Sequence, residues 1–202
     1  MSIGKPVLVL ALGAFALSGC AAVKLGRTLN DFEDVKSEVN ALDATTSMPT
    51  SGSATYTGTT QITGSFDDSN VVVLGDTTMT ANFATARITG EIDDIVGADL
   101  NDRQKERFDD GKLGAFAIAR VAERGDGSIE IKNGVITGNT FTAETDGAFF
   151  MDGLNYRVEG GVDGEFRGSG ANAISAEDGA GFSFSRNGTE ATGTSAEIYA
   201  TR

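Results

Sequence analysis

An antiparallel all-β domain is the fold class this sequence predicts. Three observations carry that reading. Apolar and polar residues alternate with a period of two over much of the chain beyond Ser53. The breaks between these stretches are rich in Asn-Gly and Asp-Gly pairs, which suit tight hairpin turns. There are only 2 Pro residues and neither lies beyond Pro49, so no sheet ladder is interrupted. Glycines read as lying inside strands (Gly58, Gly90, Gly138, Gly164) favour the bends of a closed barrel.

Composition narrows the chemistry. The 202 residues include no His, no Trp and 1 Cys, and carry a net charge of -13. Without His there is no Ser-His-Asp or Cys-His machinery and no His-ligated metal. One Cys forms no internal disulfide and no Cys-rich cluster. The acidic balance is the opposite of the basic patch that nucleic acid requires. Neither a cofactor nor an enzymatic activity is expected.

Residues 1–19 read as a signal peptide. Lys5 supplies the positive end, and an apolar run from Val7 to Leu17 follows Pro6. It is too short for a spanning helix, which needs about 20 residues. The run ends in Leu17-Ser18-Gly19-Cys20, with Ala21-Ala22 behind it. This order resembles the bacterial lipobox: cleavage falls between Gly19 and Cys20, and the Cys20 thiol takes the lipid. Small residues are needed before the cut because the peptidase cleft admits little side chain. Acyl chains, palmitate among them, contribute about 0.8 kcal/mol per buried CH₂, so two or three anchor stably. Ala21, which is not acidic, favours the outer membrane.

Residues 20–53 read as a lipid-anchored tether. Leu29, Phe32, Val35, Val39 and Leu42 form one apolar stripe, which predicts a short amphipathic helix near 30–42. Asn30 with Glu33 three residues on resembles a capping box. Asp43 to Ser53, polar with Pro and Gly, then reads as a linker. The helix covers one end of the following domain or forms part of a stalk; the alternative is a partner-binding or membrane-surface helix.

Residues 54–202 read as one barrel or sandwich. The alternation runs through Ala54/Tyr56/Gly58/Thr60/Ile62, Met79/Ala81/Phe83 and Ala86/Ile88/Gly90/Ile92. It returns at Ile129/Ile131, Leu154/Tyr156/Val158, Ala180/Phe182/Phe184 and Ala196/Ile198/Ala200. One apolar and one polar face per strand describes an antiparallel sheet with one side in water. Asn133-Gly134, Asn187-Gly188, Asp126-Gly127, Asp146-Gly147, Asp152-Gly153, Asp163-Gly164 and Asp178-Gly179 are the predicted turns. Neither the aromatic girdles nor the lipid-facing band of a membrane barrel is traceable, so the barrel is expected to be soluble.

Gly97 to Lys112 interrupts the rhythm with dense charge, and Leu100, Arg103 and Arg107 would share a helical face. It reads as a solvated connection or as a binding loop. Asp93, Asp94, Asp99 and Asp102 lack the residue order of a calcium loop, so no metal site is expected there. Glu159, Asp163 and Glu165 could pair for acid–base work but sit like a solvated strand face.

Several stretches together resemble the transferrin-binding protein B-like family of lipoprotein barrels, which includes factor H-binding protein. They are Met79 to Phe83 with Ala86 to Ile92, Val135 to Ala143, Val158 to Gly168 with Ala171 and Gly181-Phe182, and the closing Ile198 to Arg202. They span residues 54–202 in the family's order, behind a lipobox as in the family. Arg167 and Ser169 stand where that signature usually has Tyr and Pro. The resemblance implies an eight-stranded antiparallel up-and-down β-barrel, lipid-anchored at the cell surface.

Four functions are weighed on this basis. One is a surface binding lipoprotein for a protein, haem or another solute, serving nutrient acquisition. The second is a structural envelope lipoprotein facing the periplasm, and the third a carrier holding a small apolar ligand inside the barrel. Small inward residues such as Ala81, Ala86, Gly90 and Ala180 would leave room for such a ligand, or would match larger neighbours across a filled core. An enzyme comes last.

Overall fold

In the computed structural model, residues 15–112, 117 and 120–202 are described, with side chains from Cys20 onward. Most of the signal-peptide reading, residues 1–14, therefore lies outside the described residues.

Helix α1 (Phe15–Asn40) precedes β1 (Ser53–Ser65), β2 (Asn70–Asn82) and β3 (Arg87–Leu100). Helix α2 (Asp102–Asp109) leads to β4 (Ala122–Arg124), β5 (Asp126–Thr137), β6 (Thr140–Met151) and β7 (Leu154–Arg167). The chain closes with β8 (Ala173–Asp178), β9 (Ser183–Arg186), β10 (Thr189–Glu190) and β11 (Gly193–Thr201).

All pairings are antiparallel, and consecutive long strands are neighbours. The ring runs β1, β2, β3, β5, β6, β7, β8, β11, and β11 returns to β1. This is a closed eight-stranded up-and-down barrel. β4 continues the β5 position along β3, and β9 continues the β8 position along β7. Closure leaves no long open edge to pair with another chain.

Alternation places Tyr56 and Ile62 of β1, Met79 of β2, Ile129 and Ile131 of β5, and Ile198 of β11 in the core. Phe149, Tyr156 and Phe184 stack within it, with centroids 5.3 to 6.4 Å apart. Phe166 meets Tyr56, Phe83 and Phe141 nearer one end. Where two threonines face inward, they satisfy each other: Thr60 and Thr77 share a 2.6 Å hydroxyl bond. The barrel's own side chains occupy its inside. Ala81 is core, Ala86 lies in the β2–β3 turn, and Ala180 is exposed between β8 and β9.

Two of the predicted glycine turns are hairpin turns. Asp152-Gly153 joins β6 to β7 with φ of 50° and 71°, and Asn187-Gly188 joins β9 to β10 with 50° and 81°. Asn133-Gly134 is instead a bulge inside β5, where the register to β6 shifts between Lys132 and Val135. Asp126-Gly127, Asp146-Gly147 and Asp163-Gly164 lie within strands, and Asp178-Gly179 ends β8. Gly138 belongs to the β5–β6 turn, at φ 63°. The Ala180/Phe182/Phe184 alternation is broken by the turn at 179–182.

The helix departs most from expectation. It begins well before residue 30 and crosses the outside of the barrel wall. Ala21, Leu25, Phe32 and Val39 bury themselves against Val72, Leu74, Val96, Ala98, Leu100, Ala122, Ala173 and Tyr199. The strap thus runs from the β3–β4 wall over β2 and β1 to β11 and β8. The predicted linker is also tied down. Thr45 donates its backbone N–H to the Phe166 carbonyl (2.9 Å), Gly168 donates to Asp43 (2.8 Å), and Met48 packs on the core. Within 97–112, Leu100 ends β3 beneath α1 rather than sharing a helix face with Arg103 and Arg107. Asn101 then caps α2 through a reciprocal box with Gln104 (3.0 Å each way).

Candidate functional site

The first candidate is the start of the strap. Gly19 and Cys20 lie in α1, and Cys20 is exposed with a free thiol. Ala21 and Leu25 immediately behind it are 2% and 1% exposed, so the helix is seated on the wall from the residue after the cysteine. Lys24 bridges Asp94 and Asp76 on the strands below, the latter at 3.7 Å. Arg124 of β4 reaches the same Asp94 at 3.3 Å. Burial pushes the Asp76 carboxyl up, with Asp94 and Asp93 adding to the shift and Lys24 opposing it. A hollow of about 530 Å³ beside Cys20 is lined by Val23, Arg27, Asp31 and Arg124.

The second candidate is a groove at the other end of the strap. Asp163 and Glu165 of β7, Glu177 of β8 and Glu197 of β11 line a hollow of about 340 Å³ with Asn40 and Tyr199. Two cations moderate it. Lys36 of α1 holds Glu197 at 2.7 Å, while Arg167 pairs with Glu165 and donates to Ser175 (3.0 Å) and the Leu42 carbonyl (3.1 Å). Burial lowers the Lys36 pKa, but the bond and charge of Glu197 outweigh it and leave the amine raised. Burial also raises the Tyr199 phenol, and Glu197 adds to the shift. The groove presents surplus negative charge to solvent, which suits a basic surface or cationic group.

Of the carboxylates weighed from sequence, Asp163 and Glu165 meet in this groove and the others do not converge. Asp94 serves Lys24 and Arg124, Asp99 accepts from Arg186 (3.1 Å), and Asp102 accepts from Asn70 (3.0 Å). Glu159 pairs with Arg157 at 2.5 Å, further along β7 from Asp163. Reading the sequence picked out Asp163 and Glu165 but missed the groove, because Glu177 and Glu197 join them from two further strands, β8 and β11. Their outward positions in adjacent strands were the available signal.

No family model matches the chain, and no curated protein matches it. Among solved structures the chain is similar to intact Ap-TbpB (N and C lobes), at 17% identity and a TM-score of 0.41. The alignment covers 79% of this chain and 28% of that one, so this chain spans under a third of that protein's length.

Proposed function

We propose that this protein is a lipoprotein of the bacterial outer membrane, anchored through acylated Cys20 and displayed at the cell surface. There it binds a protein or solute ligand by its outer face, in the service of nutrient acquisition. One observation carries the anchor: the chain's only cysteine follows Leu17-Ser18-Gly19 directly and is exposed. The strand signatures between Met79 and Arg202 support a transferrin-binding protein B-like barrel. Because aromatic side chains fill the inside, binding falls to the outside, and the acidic groove beside Tyr199 favours a basic partner.

Protease shaving of intact cells, beside lysed cells and a Cys20→Ser control, tests display. Degradation in intact cells that disappears with Cys20→Ser is the expected result. Protection until lysis would overturn surface display and leave a structural role facing the periplasm.

A further inference from the structure

If Cys20 carries the lipid, the barrel has almost no freedom to leave the membrane. A free chain gains at most about 3.3–3.6 Å of reach per residue. Here no residue is free, because Ala21 is already buried against the wall. The acyl chains must therefore enter the bilayer beside the β3–β4 flank itself.

That flank carries two of the three large apolar side chains exposed among the described residues, the third being Val135 toward the other end of β5. Val23, three residues beyond Cys20, is 55% exposed, and Phe150 of β6 is 58% exposed. Phe150 stands opposite Asp126 in the β5–β6 ladder. Asp126 in turn points outward two residues from Arg124, which lines the Cys20 hollow with Val23; Gly125 between them faces Ile95 and Phe149 inside. The two apolar side chains thus flank the cysteine on one side of the barrel. Lys24, Arg27 and Arg124 line the hollow there against Asp31, Asp76 and Asp94, so the flank is close to charge balance in a chain whose net charge is -13. The acidic groove lies at the far end of the strap, over β7, β8 and β11.

We infer, resting on the lipid-anchor reading, that this flank is a membrane-docking surface. Val23 and Phe150 enter the interfacial layer of the bilayer beside the acyl chains, and Arg27 meets the head groups. Apolar insertion is the second signal that steadies a lipid anchor. Repulsion between anionic head groups and the acidic groove works in the same sense, turning Asp163, Glu165, Glu177 and Glu197 away from the membrane. The groove is thereby presented outward to partners.

The test uses the acylated protein in vesicles of phosphatidylethanolamine and phosphatidylglycerol. A single new cysteine carries a fluorophore, Cys20 being blocked by its own thioether. Asn155→Cys places the label beside Phe150, its ladder partner, and Glu177→Cys places it in the acidic groove. Lipid-borne quencher is expected to act several-fold more strongly at 155 than at 177, and Phe150→Glu to remove most of that difference. Intact mass reports the acyl group independently. Acylated protein with equal quenching at both sites would overturn the docking surface alone. Protein that proves unacylated at Cys20 would overturn the anchor and the docking together.

Discussion

The guanidinium of Arg186 lies 4.4 Å from the centre of the Phe66 ring, and the pair closes one mouth of the barrel. Its nitrogens also donate to Ser69 (2.9 Å), Asp99 (3.1 Å) and Asp68, joining the β1–β2 loop, the end of β3 and β9. Only 15% of the side chain is exposed. Replacing it removes a partly desolvated cation–π contact and leaves Asp99 without its cation. Arg186→Ala should cost about 1–2 kcal/mol in urea unfolding. Arg186→Lys should recover only part of this, because an ammonium cannot fork across several acceptors.

Alkaline stability follows from the tyrosines. The Tyr56 phenol is fully buried and donates to the Ala171 carbonyl at 2.6 Å. Burial pushes its pKa from 10.0 to about 12, against a small opposing effect from Arg202. Between those values the unfolded chain has lost a proton that the folded chain keeps, so rising pH favours unfolding. Stability should hold below pH 10 and drain away as pH climbs toward 12. Burial raises Tyr156 and Tyr199 as well, so all 3 tyrosines of the chain belong to this set. Phenolate absorbance should therefore rise together with loss of the folded circular-dichroism signal, and not before it.

Gly58 tests barrel closure. A Cβ at this position of β1 would sit 2.0 Å from the Tyr199 carbonyl oxygen and 2.6 Å from the Ala200 Cα, both backbone atoms of β11. These cannot retreat without parting the β1–β11 ladder. Gly58→Ala should destabilise by about 1–3 kcal/mol or more, read as a lowered urea midpoint. Gly153→Asn is the contrasting control. Position 153 meets nothing within 4 Å and needs only a positive φ, which Asn tolerates, so its midpoint should move far less.

The strap should be integral to the fold. Phe32 is 1% exposed and meets Tyr199 edge-on, with ring centroids 5.7 Å apart. Phe32→Ala should cost about 3–5 kcal/mol by equilibrium unfolding. Acylation at Cys20, which depends on the leader, should be unchanged in the same variant when intact mass is measured.

These elements differ in how far the sequence revealed them. The β1 and β11 alternation was readable because one face of each strand meets water over much of its length. Asp152-Gly153 announced its turn, whereas Asn133-Gly134 did not mean one. At the bulge Asn133 also needs a positive φ (56°), and a Cβ on Gly134 would lie 2.2 Å from the Ile88 carbonyl, so the same dipeptide meets a different demand. The early part of α1 was missed because Thr28 interrupts its apolar stripe, although Thr28 is itself buried. A signal did exist on the other side of the contact. Val71 to Leu74 and Ile95 to Ala98 are buried on both faces, apart from Gly97 a continuous apolar pattern that an uncovered barrel wall would not need. The acidic groove left a weaker trace, because only the strand pairing sets Asp163, Glu177 and Glu197 side by side.

Lipid at Cys20 is the claim on which anchoring, display and orientation all depend. Metabolic labelling with palmitate, followed by intact mass of wild type and Cys20→Ser, addresses it directly. The account predicts labelled protein that begins at Cys20 and carries acyl mass, and an unlabelled Cys20→Ser variant. Wild-type protein recovered without label, or cut elsewhere with its thiol free, would contradict it.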